Sequence, residues 1–161
     1  MDAKLKKFLE QNKIKYEVSE HKKVYTAFNE AETQHLNVKE VAKAVLVKTD
    51  TGYAMVIVPA AKYVDFTKVK KALSARGGSA FGGNAKKISM AKEADIAKIL
   101  KTKIGLIHPF GNLYKLPVLL DSALLKPKKL VTSAGSYTES LELRPKDFVK
   151  AVQPLQGSFS K

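Results

Sequence analysis

Lys43 is the first side chain in this sequence whose surroundings suggest chemistry. It lies in the β-forming run Val41-Ala42-Lys43-Ala44-Val45, and the alternation of a strand groups it with the valines rather than with the alanines. A lysine among valines either extends its methylene chain along an apolar surface toward water or points its ammonium into a pocket where a ligand satisfies it. The pattern leaves both alternatives open.

The segment Gly105–Gly111, which reads Gly-Leu-Ile-His-Pro-Phe-Gly, is the second candidate because it ends a predicted strand in a turn. Its first glycine allows close approach of another backbone, Pro109 stiffens the bend, and Gly111 permits a positive φ. His108 is a candidate hydrogen-bond donor or base in this bend, although a single histidine is more often structural. Both roles stay open for it.

Asp121 is the third candidate, since it follows the apolar residues 118–120 at the predicted end of a strand. Its carboxylate either caps a turn through Ser122 or Ala123 or holds a cationic partner such as Lys43. The position alone does not choose between capping and binding.

A glycine-rich stretch, Ser74–Lys87, has the composition that lets backbone N–H groups converge on an anion. The P-loop pattern fails because an asparagine follows Gly83 where a lysine is required, and no G-x-G-x-x-G is present. We therefore expect a flexible connection rather than a nucleotide site. A weaker role remains, in which a mobile basic flap with Arg76, Lys86 and Lys87 contacts RNA phosphates.

Composition excludes several kinds of site. The 161 residues contain no cysteine and three histidines, which removes disulfides and thiolate nucleophiles and makes a metal site unexpected. The serine-hydrolase elbow G-x-S-x-G and the metalloprotease motif H-E-x-x-H are also missing. Any hydrolysis must therefore depend on positioned donors that stabilise a developing oxyanion.

The charge of the chain suggests its partner. Lysine plus arginine number 29 against 15 aspartates and glutamates, for a formal net charge of +14. Such an excess favours polyanions, and the preference for lysine over arginine favours phosphate contacts over the reading of base edges. A solvated lysine-rich surface is the alternative. We see no leader-like start and no apolar run of the roughly 20 residues that span a bilayer, so we expect a cytoplasmic protein.

The elements that must position these residues follow from apolar periodicity and turn residues. Helices are predicted over Asp2–Asn12, Thr26–Leu36, Asp65–Leu73, Lys92–Leu100 and Pro145–Val152. Strands are predicted over Ile14–Val18, Val41–Lys48, Tyr53–Val58, Lys87–Met90, Ile104–Ile107, Val118–Leu120, Leu130–Thr132 and Leu141–Leu143. Several strands lie too close together for helical crossovers, which predicts an α+β fold with a mixed sheet in one domain, 1–161. Residues 156–161 are polar and predicted to fray.

Five groups of segments match, in order, the motifs of a known family. They are Lys43–Val47 with Met55–Pro59, Asp65–Leu73, Lys87–Ala91, Gly105–Gly111 with Leu116–Pro117 and Asp121, and Ser133–Leu143. On these segments, from about residue 25 to 152, the chain resembles the YbaK/prolyl-tRNA-editing (ProX-like) family of aminoacyl-tRNA deacylases. That resemblance implies a partly barrel-like mixed sheet with flanking helices.

The resemblance also implies a reaction, the hydrolysis of the ester that joins a wrong amino acid to the 3′ end of a tRNA. Lys43 would interact with the aminoacyl-adenosine end or the ester carbonyl, and water helped by the ribose hydroxyl would attack. Backbone N–H groups of the bend Gly105–Pro109 would hold the carbonyl oxygen. The substrate-binding residues would be Gly105, Leu106, Ile107, His108, Pro109, Asp121 and Gly135. No metal, organic cofactor, membrane or DNA partner is implied; an aminoacyl-tRNA synthetase is an open further partner.

Two positions depart from the family pattern. Leu106 replaces the second glycine of the bend, and His108 replaces the usual small serine; in the family these positions line the acyl pocket. The larger side chains should narrow it, so alanyl-tRNA(Pro) is the first expected substrate and cysteinyl- or seryl-tRNA the alternative. A different class also stays open, a non-catalytic module that binds tRNA or a synthetase through its lysine clusters.

Overall fold

The computed structural model describes residues 1–21, 38–75 and 86–161. The predicted helix Thr26–Leu36, Arg76 and most of the glycine-rich stretch lie outside these residues. Helices α1 to α4 of the described residues are Ala3–Gln11, Phe66–Ala75, Glu93–Leu100 and Pro145–Val152. Strands β1 to β8 are Glu17–Glu20, Ala42–Thr49, Gly52–Pro59, Ile88–Met90, Val118–Asp121, Leu130–Ser133, Glu139–Leu143 and Leu155–Gly157. Short 3-10 helices are Val38–Glu40, Gly111–Tyr114 and Ser122–Leu125.

The strands form two sheets. β4, β2, β3, β5 and β8 lie side by side in that order, and β1, β7 and β6 form a separate three-stranded sheet. β2 and β3 pair as an antiparallel hairpin in which Lys43 lies opposite Val58. β5 pairs in parallel with β3 on one side and with β8 on the other. The predicted α+β class with a mixed sheet is confirmed, and the described strands do not close into a barrel.

The two faces of the five-stranded sheet are covered by different parts of the chain. On one side, which we call the Phe110 face, Leu46 of β2 is buried in one core cluster with Phe110. On the other side, the Phe159 face, Val58 of β3 is buried with Val69 of α2 and with Phe159. The alternation of side chains along each strand therefore separates two cores that share one sheet.

The first helix begins where the sequence predicts. The carboxylate of Asp2 accepts a hydrogen bond from the N–H of Leu5 at 3.0 Å, which satisfies one of the free donors at the helix start. After the helix, Lys13 adopts a left-handed φ of 54°. β1 begins at Glu17 rather than at the predicted Ile14.

The strand predicted over Ile104–Ile107 is wrong. Gly105 has a φ of 79°, and the N–H of Leu106 donates to the carbonyl of Lys103 at 3.0 Å. A local hydrogen bond of this kind closes a turn and removes the extended geometry that a strand needs. The apolar residues of a strand are present, but Gly105 within them adopts a turn conformation instead of an extended one.

The prediction that residues 156–161 fray is also wrong. β8 pairs with β5, Phe159 is buried, and Tyr63 and Lys161 exchange backbone hydrogen bonds of 3.0 and 2.9 Å. Polar composition suggested a loose tail, whereas the free edge of β5 gives this segment a strand to pair with. Within the described ranges, no helix is long and apolar enough to cross a membrane.

Candidate functional site

Lys43 lies near the start of β2, on the same side of the sheet as Val58. Its side chain is half-buried, and its Nζ lies 4.9 Å from the centroid of the Tyr63 ring. In the described part of the chain, no carboxylate forms an ion pair with this ammonium. Burial lowers the pKa of Lys43 from its usual range because the charged form loses hydration. Lys43 is thus a partly dehydrated cation with no anionic partner among residues 1–21, 38–75 and 86–161.

The bend Gly105–Pro109 leads onto the opposite side of the same sheet. Phe110, which follows it, is fully buried on the Phe110 face. At Gly111 a Cβ would lie 2.8 Å from Cγ2 of Val118, so the chain passes too close to β5 for any side chain. Gly111 does not have the positive φ that we predicted; close packing is the reason for its glycine. Among the described residues, no hydrogen bond, ion pair or ring contact joins Lys43 to the bend.

The bend leaves backbone donors without partners. Among the described residues, the N–H groups of Gly105, Ile107 and His108 make no hydrogen bond, whereas that of Leu106 is used within the turn. Residues 105–107 are half-buried, and 108 and 109 are buried. Buried N–H groups without partners are uncommon in folded proteins, and of these three residues His108 is buried. They are suited to bind an anionic or ester oxygen, the role that the sequence analysis gave to this segment.

His108 is held inside the protein as a neutral ring. It is 3% exposed, its Nδ1 accepts a hydrogen bond from the N–H of Phe110 at 3.3 Å, and its Nε2 lies 3.3 Å from the hydroxyl of Tyr114. Because Nδ1 accepts, we assign the proton to Nε2, which donates to Tyr114. Burial lowers the pKa of His108 to about 4. Such a ring is a weak base at neutral pH, and its main effect is to shape the bend.

A cavity of about 40 Å³ adjoins the bend, with room for on the order of two or three water-sized groups. The structure brings together here four predicted substrate residues, Leu106, Ile107, His108 and Gly135, and four further polar or charged side chains, Asp2, Lys101, Thr102 and Tyr114. Gly135 has a φ of 83°, and a Cβ at this position would lie 2.8 Å from Cβ of Asp2. The narrowness predicted from Leu106 and His108 agrees with this small volume.

Asp121 is used by the protein itself. Its Oδ1 accepts from the N–H of Ala123 at 2.9 Å, and its Oδ2 accepts from the N–H of Phe159 at 2.9 Å and from the hydroxyl of Ser160 at 2.8 Å. The carboxylate is buried and makes no ion pair with Lys43 among the described contacts. Of the two alternatives for Asp121, the structure contains the cap, and it adds an anchor for the C-terminal segment.

The predicted RNA contacts are described only in part, since Arg76 lies outside the described residues. Lys86 and Lys87 have exposed side chains, and their backbone N–H groups donate to Oδ1 of Asp50 at 3.0 and 3.3 Å. These hydrogen bonds lower the pKa of Asp50, and the bond from the N–H of Lys87 has the largest effect. The turn between β2 and β3 therefore fixes the backbone of both lysines and leaves their ammonium groups in water.

Sequence reasoning missed two aromatic residues beside the predicted site. Tyr63 covers the ammonium of Lys43, and Tyr114 contacts His108. Tyr114 lies six residues after His108, in the 3-10 turn that follows the bend. This short separation is a local signal for the contact. No local signal links Tyr63 to Lys43, because the contact depends on how the chain returns after β3.

Solved structures share this fold over the whole chain. A protein described only as hypothetical superposes with a TM-score of 0.84 at 17% identity, over 98% of this chain and 99% of that chain. A candidate trans-editing enzyme for prolyl-tRNA synthetase gives 0.80 at 18% identity, over 100% and 99%. A candidate signal transduction protein from Marinobacter aquaeolei gives 0.69 at 14% identity, over 99% of this chain and 31% of that chain. At these identities the likeness shows the fold alone.

The sequence also matches a family model, that of the aminoacyl-tRNA editing domain, over residues 21–151. The matched range holds Lys43, the bend Gly105–Pro109, Asp121 and Gly135. It covers most of the 161 residues and agrees with the resemblance found from the motifs. The chain therefore belongs to the aminoacyl-tRNA editing domain family.

Proposed function

We propose that this protein is an aminoacyl-tRNA deacylase that acts in trans on mischarged tRNA, with alanyl-tRNA(Pro) as its first substrate. The observation that carries the proposal is the bend at residues 105–109, where three backbone N–H groups lack partners among the described residues inside the segment matched by the editing-domain family.

The proposed reaction assigns no general acid or base to a side chain of the protein. Water attacks the ester carbonyl carbon, the bond to the ribose oxygen breaks, and the products are a free amino acid and a tRNA with its hydroxyl restored. Negative charge develops on the carbonyl oxygen during attack, and the N–H groups of Gly105, Ile107 and His108 are the donors that would stabilise it. Each such donor is worth about 100- to 1,000-fold in rate. The ribose hydroxyl of the substrate assists the water.

Lys43 binds a part of the substrate other than the ester. Because it lies on the Phe159 face while the chain after the bend packs on the Phe110 face, we assign the ester to the bend and the ribose or phosphate of the terminal adenosine to Lys43. This assignment requires an extended, unpaired 3′ end that contacts both segments. A half-buried cation without an anionic partner suits a phosphate oxygen.

The acyl group should be small. The bend adjoins a cavity of about 40 Å³ lined by Leu106, Ile107 and His108 and another of about 420 Å³ that reaches Gly105. We assign the acyl group to the smaller one, which suits a methyl or hydroxymethyl group and excludes a branched or aromatic side chain by size. Thr102 and Tyr114 add hydroxyl groups to its lining. Those hydroxyls favour serine as the second candidate substrate. A cavity that offers hydrogen bonds binds the hydroxyl group of serine better than an apolar cavity does.

The test is a panel of mischarged tRNAs bearing alanine, serine, cysteine, proline or valine, with released amino acid as the readout. We expect rapid release of alanine from tRNA(Pro), slower release of serine, and none of valine. Lys43→Met, which keeps the length of the side chain, should lower kcat/KM about 100-fold, in the range for loss of a hydrogen bond to a charged group, with an unchanged urea midpoint. Lys150→Met removes the same charge from exposed Lys150 on α4 and should turn over normally.

Two results would contradict the proposal. Normal deacylation by Lys43→Met would remove its assigned role. Salt-sensitive binding to tRNA with no ester cleavage by the wild-type protein would instead identify a non-catalytic binding module.

A further inference from the structure

Tyr63 is the most exposed large hydrophobic side chain of the described residues, with 72% of its surface open to solvent. It follows the end of β3, where the N–H of Lys62 donates to the carbonyl of Pro59 at 2.9 Å. Exposure of the apolar surface of a tyrosine ring to water is unfavourable, and an exposed ring adds no packing to the core. Single exposed hydrophobic side chains are common on protein surfaces, so the case for a binding role depends on the surroundings of this ring.

The backbone that carries this ring is rigidly held. The N–H of Tyr63 donates to the carbonyl of Lys161 at 3.0 Å, and its carbonyl accepts from the N–H of Lys161 at 2.9 Å. The next residue, Val64, is buried and forms an antiparallel bridge with Ser160. Because Tyr63 and Val64 are both paired, the ring projects from a fixed backbone, and a ligand that binds it need not order the main chain.

The surroundings of the ring are positively charged. The ammonium of Lys43 lies 4.9 Å from the ring centroid, and Lys62 beside it in the chain is exposed. An aromatic face flanked by cations is the combination that binds single-stranded nucleic acid, since the ring stacks on a base while the cations meet its phosphates. An apolar protein partner would not be attracted by these charges.

We propose that Tyr63 is a stacking platform for the unpaired terminal base of the tRNA, placed so that Lys43 meets the sugar-phosphate of the same nucleotide. The inference rests on the proposed function for the identity of the RNA. It assigns Tyr63 a binding role rather than a part in the bond-breaking step. Loss of the ring should therefore raise KM and leave kcat nearly unchanged.

The experiment uses uncharged tRNA whose 3′-terminal adenine is replaced by 2-aminopurine, a base whose fluorescence falls when it stacks on an aromatic ring. Wild-type protein and Tyr63→Phe should both quench the signal. Tyr63→Leu should bind about tenfold more weakly, within the range for loss of one stacked base, and should not quench at saturation. Lys43→Met should still quench, which separates stacking from any effect of the ring on the lysine.

The matched control is Met90→Ala, which removes another exposed side chain, 58% open to solvent, and should behave as the wild type. Equal quenching by Tyr63→Leu and wild type, or no quenching by the wild type, would overturn the platform. Quenching that depends on Tyr63, in a protein that releases no amino acid from any charged tRNA, would support the platform while refuting the deacylase.

Discussion

Lys43 and Asp121 lie in β2 and β5 of the same sheet, and the protein treats their charges in opposite ways. All the hydrogen bonds of Asp121 come from its own chain, from Ala123, Phe159 and Ser160. Lys43 has an aromatic ring over its ammonium and no anion among the described residues. The sequence made both of them site candidates, and the comparison indicates that a group already satisfied by the fold is structural, whereas one left unsatisfied is available to a ligand.

The same contrast separates two stretches of backbone. In the C-terminal segment, N–H groups are paired with β5, with Asp121 and with Tyr63. In the bend at 105–109, three N–H groups of the described chain remain unpaired. Substitutions in the first stretch should therefore cost stability, and those in the second should cost activity.

Gly105→Ala should have the largest effect on activity after the loss of Lys43. Gly105 has a φ of 79°, where an added Cβ costs about 1–2 kcal/mol, and relaxation of that strain moves the N–H donors. We expect kcat to fall about 100-fold. Gly52→Ala, at another positive φ but in open space within the hairpin turn, should keep its activity; equal losses in both variants would refute the assignment of the bend.

Asp121→Asn should produce the largest loss of stability. The amide would turn one acceptor into a donor facing the N–H of Phe159 or of Ala123, and we expect the free energy of unfolding in urea to fall by about 2–3 kcal/mol. Ser160→Ala, which removes one of the three donors, should cost about 1 kcal/mol. The rate of deacylation per folded molecule should stay near the wild-type value at low temperature. A tenfold lower rate with an unchanged unfolding curve would mean that Asp121 contacts substrate after all.

His108 should make stability depend on pH. In the unfolded chain its pKa is about 6.5, and in the folded protein burial lowers the pKa to about 4. The unfolded state binds more protons between these values, so stability is complete above about pH 6.5 and falls as the pH drops toward 4. When the pH is lowered from 7.5 to 5.0, the free energy of unfolding of the wild type should fall by about 2 kcal/mol more than that of His108→Asn. Urea unfolding measures this difference. Parallel losses would contradict the buried neutral ring.

Substitution of the exposed pair Lys86 and Lys87 by alanine should have the smallest effect. Each lysine that meets a phosphate releases about one counterion, so the double variant should lower the salt dependence of tRNA binding by a slope of about 1–2. The fold should be unchanged, because Asp50 holds only the backbone N–H groups. The double variant Lys146→Ala/Lys150→Ala on α4 carries the same charge change and should keep the wild-type slope.

Local pattern predicted those features that local sequence determines. The hairpin of β2 and β3, the cap at Asp2 and the proline at the start of α4 follow from residue types and spacing. Alternation also placed Lys43 on the correct face of β2. The family resemblance then located the bend, and the match over residues 21–151 confirmed the family.

The rest depends on partners that are distant in sequence. The segment 104–107 has the apolar residues of a strand, but Gly105 turns it. The tail 156–161 has the polarity of a frayed end, but β5 and Asp121 order it. In the same way, nothing near Lys43 in sequence indicates that a tyrosine twenty residues later lies over its ammonium. Tertiary pairing overrides local composition at these positions.

The parallel pairing of β5 on both sides has a consequence for synthesis on the ribosome. β3 precedes β5 in the chain, but β8, its second neighbour, ends at Gly157. Until that residue has emerged, the nascent protein presents an apolar strand with an open edge, which is a template for misassembly. Completion of the sheet must therefore wait for nearly the whole of this chain, and protection of the emerging polypeptide during that interval should raise its yield.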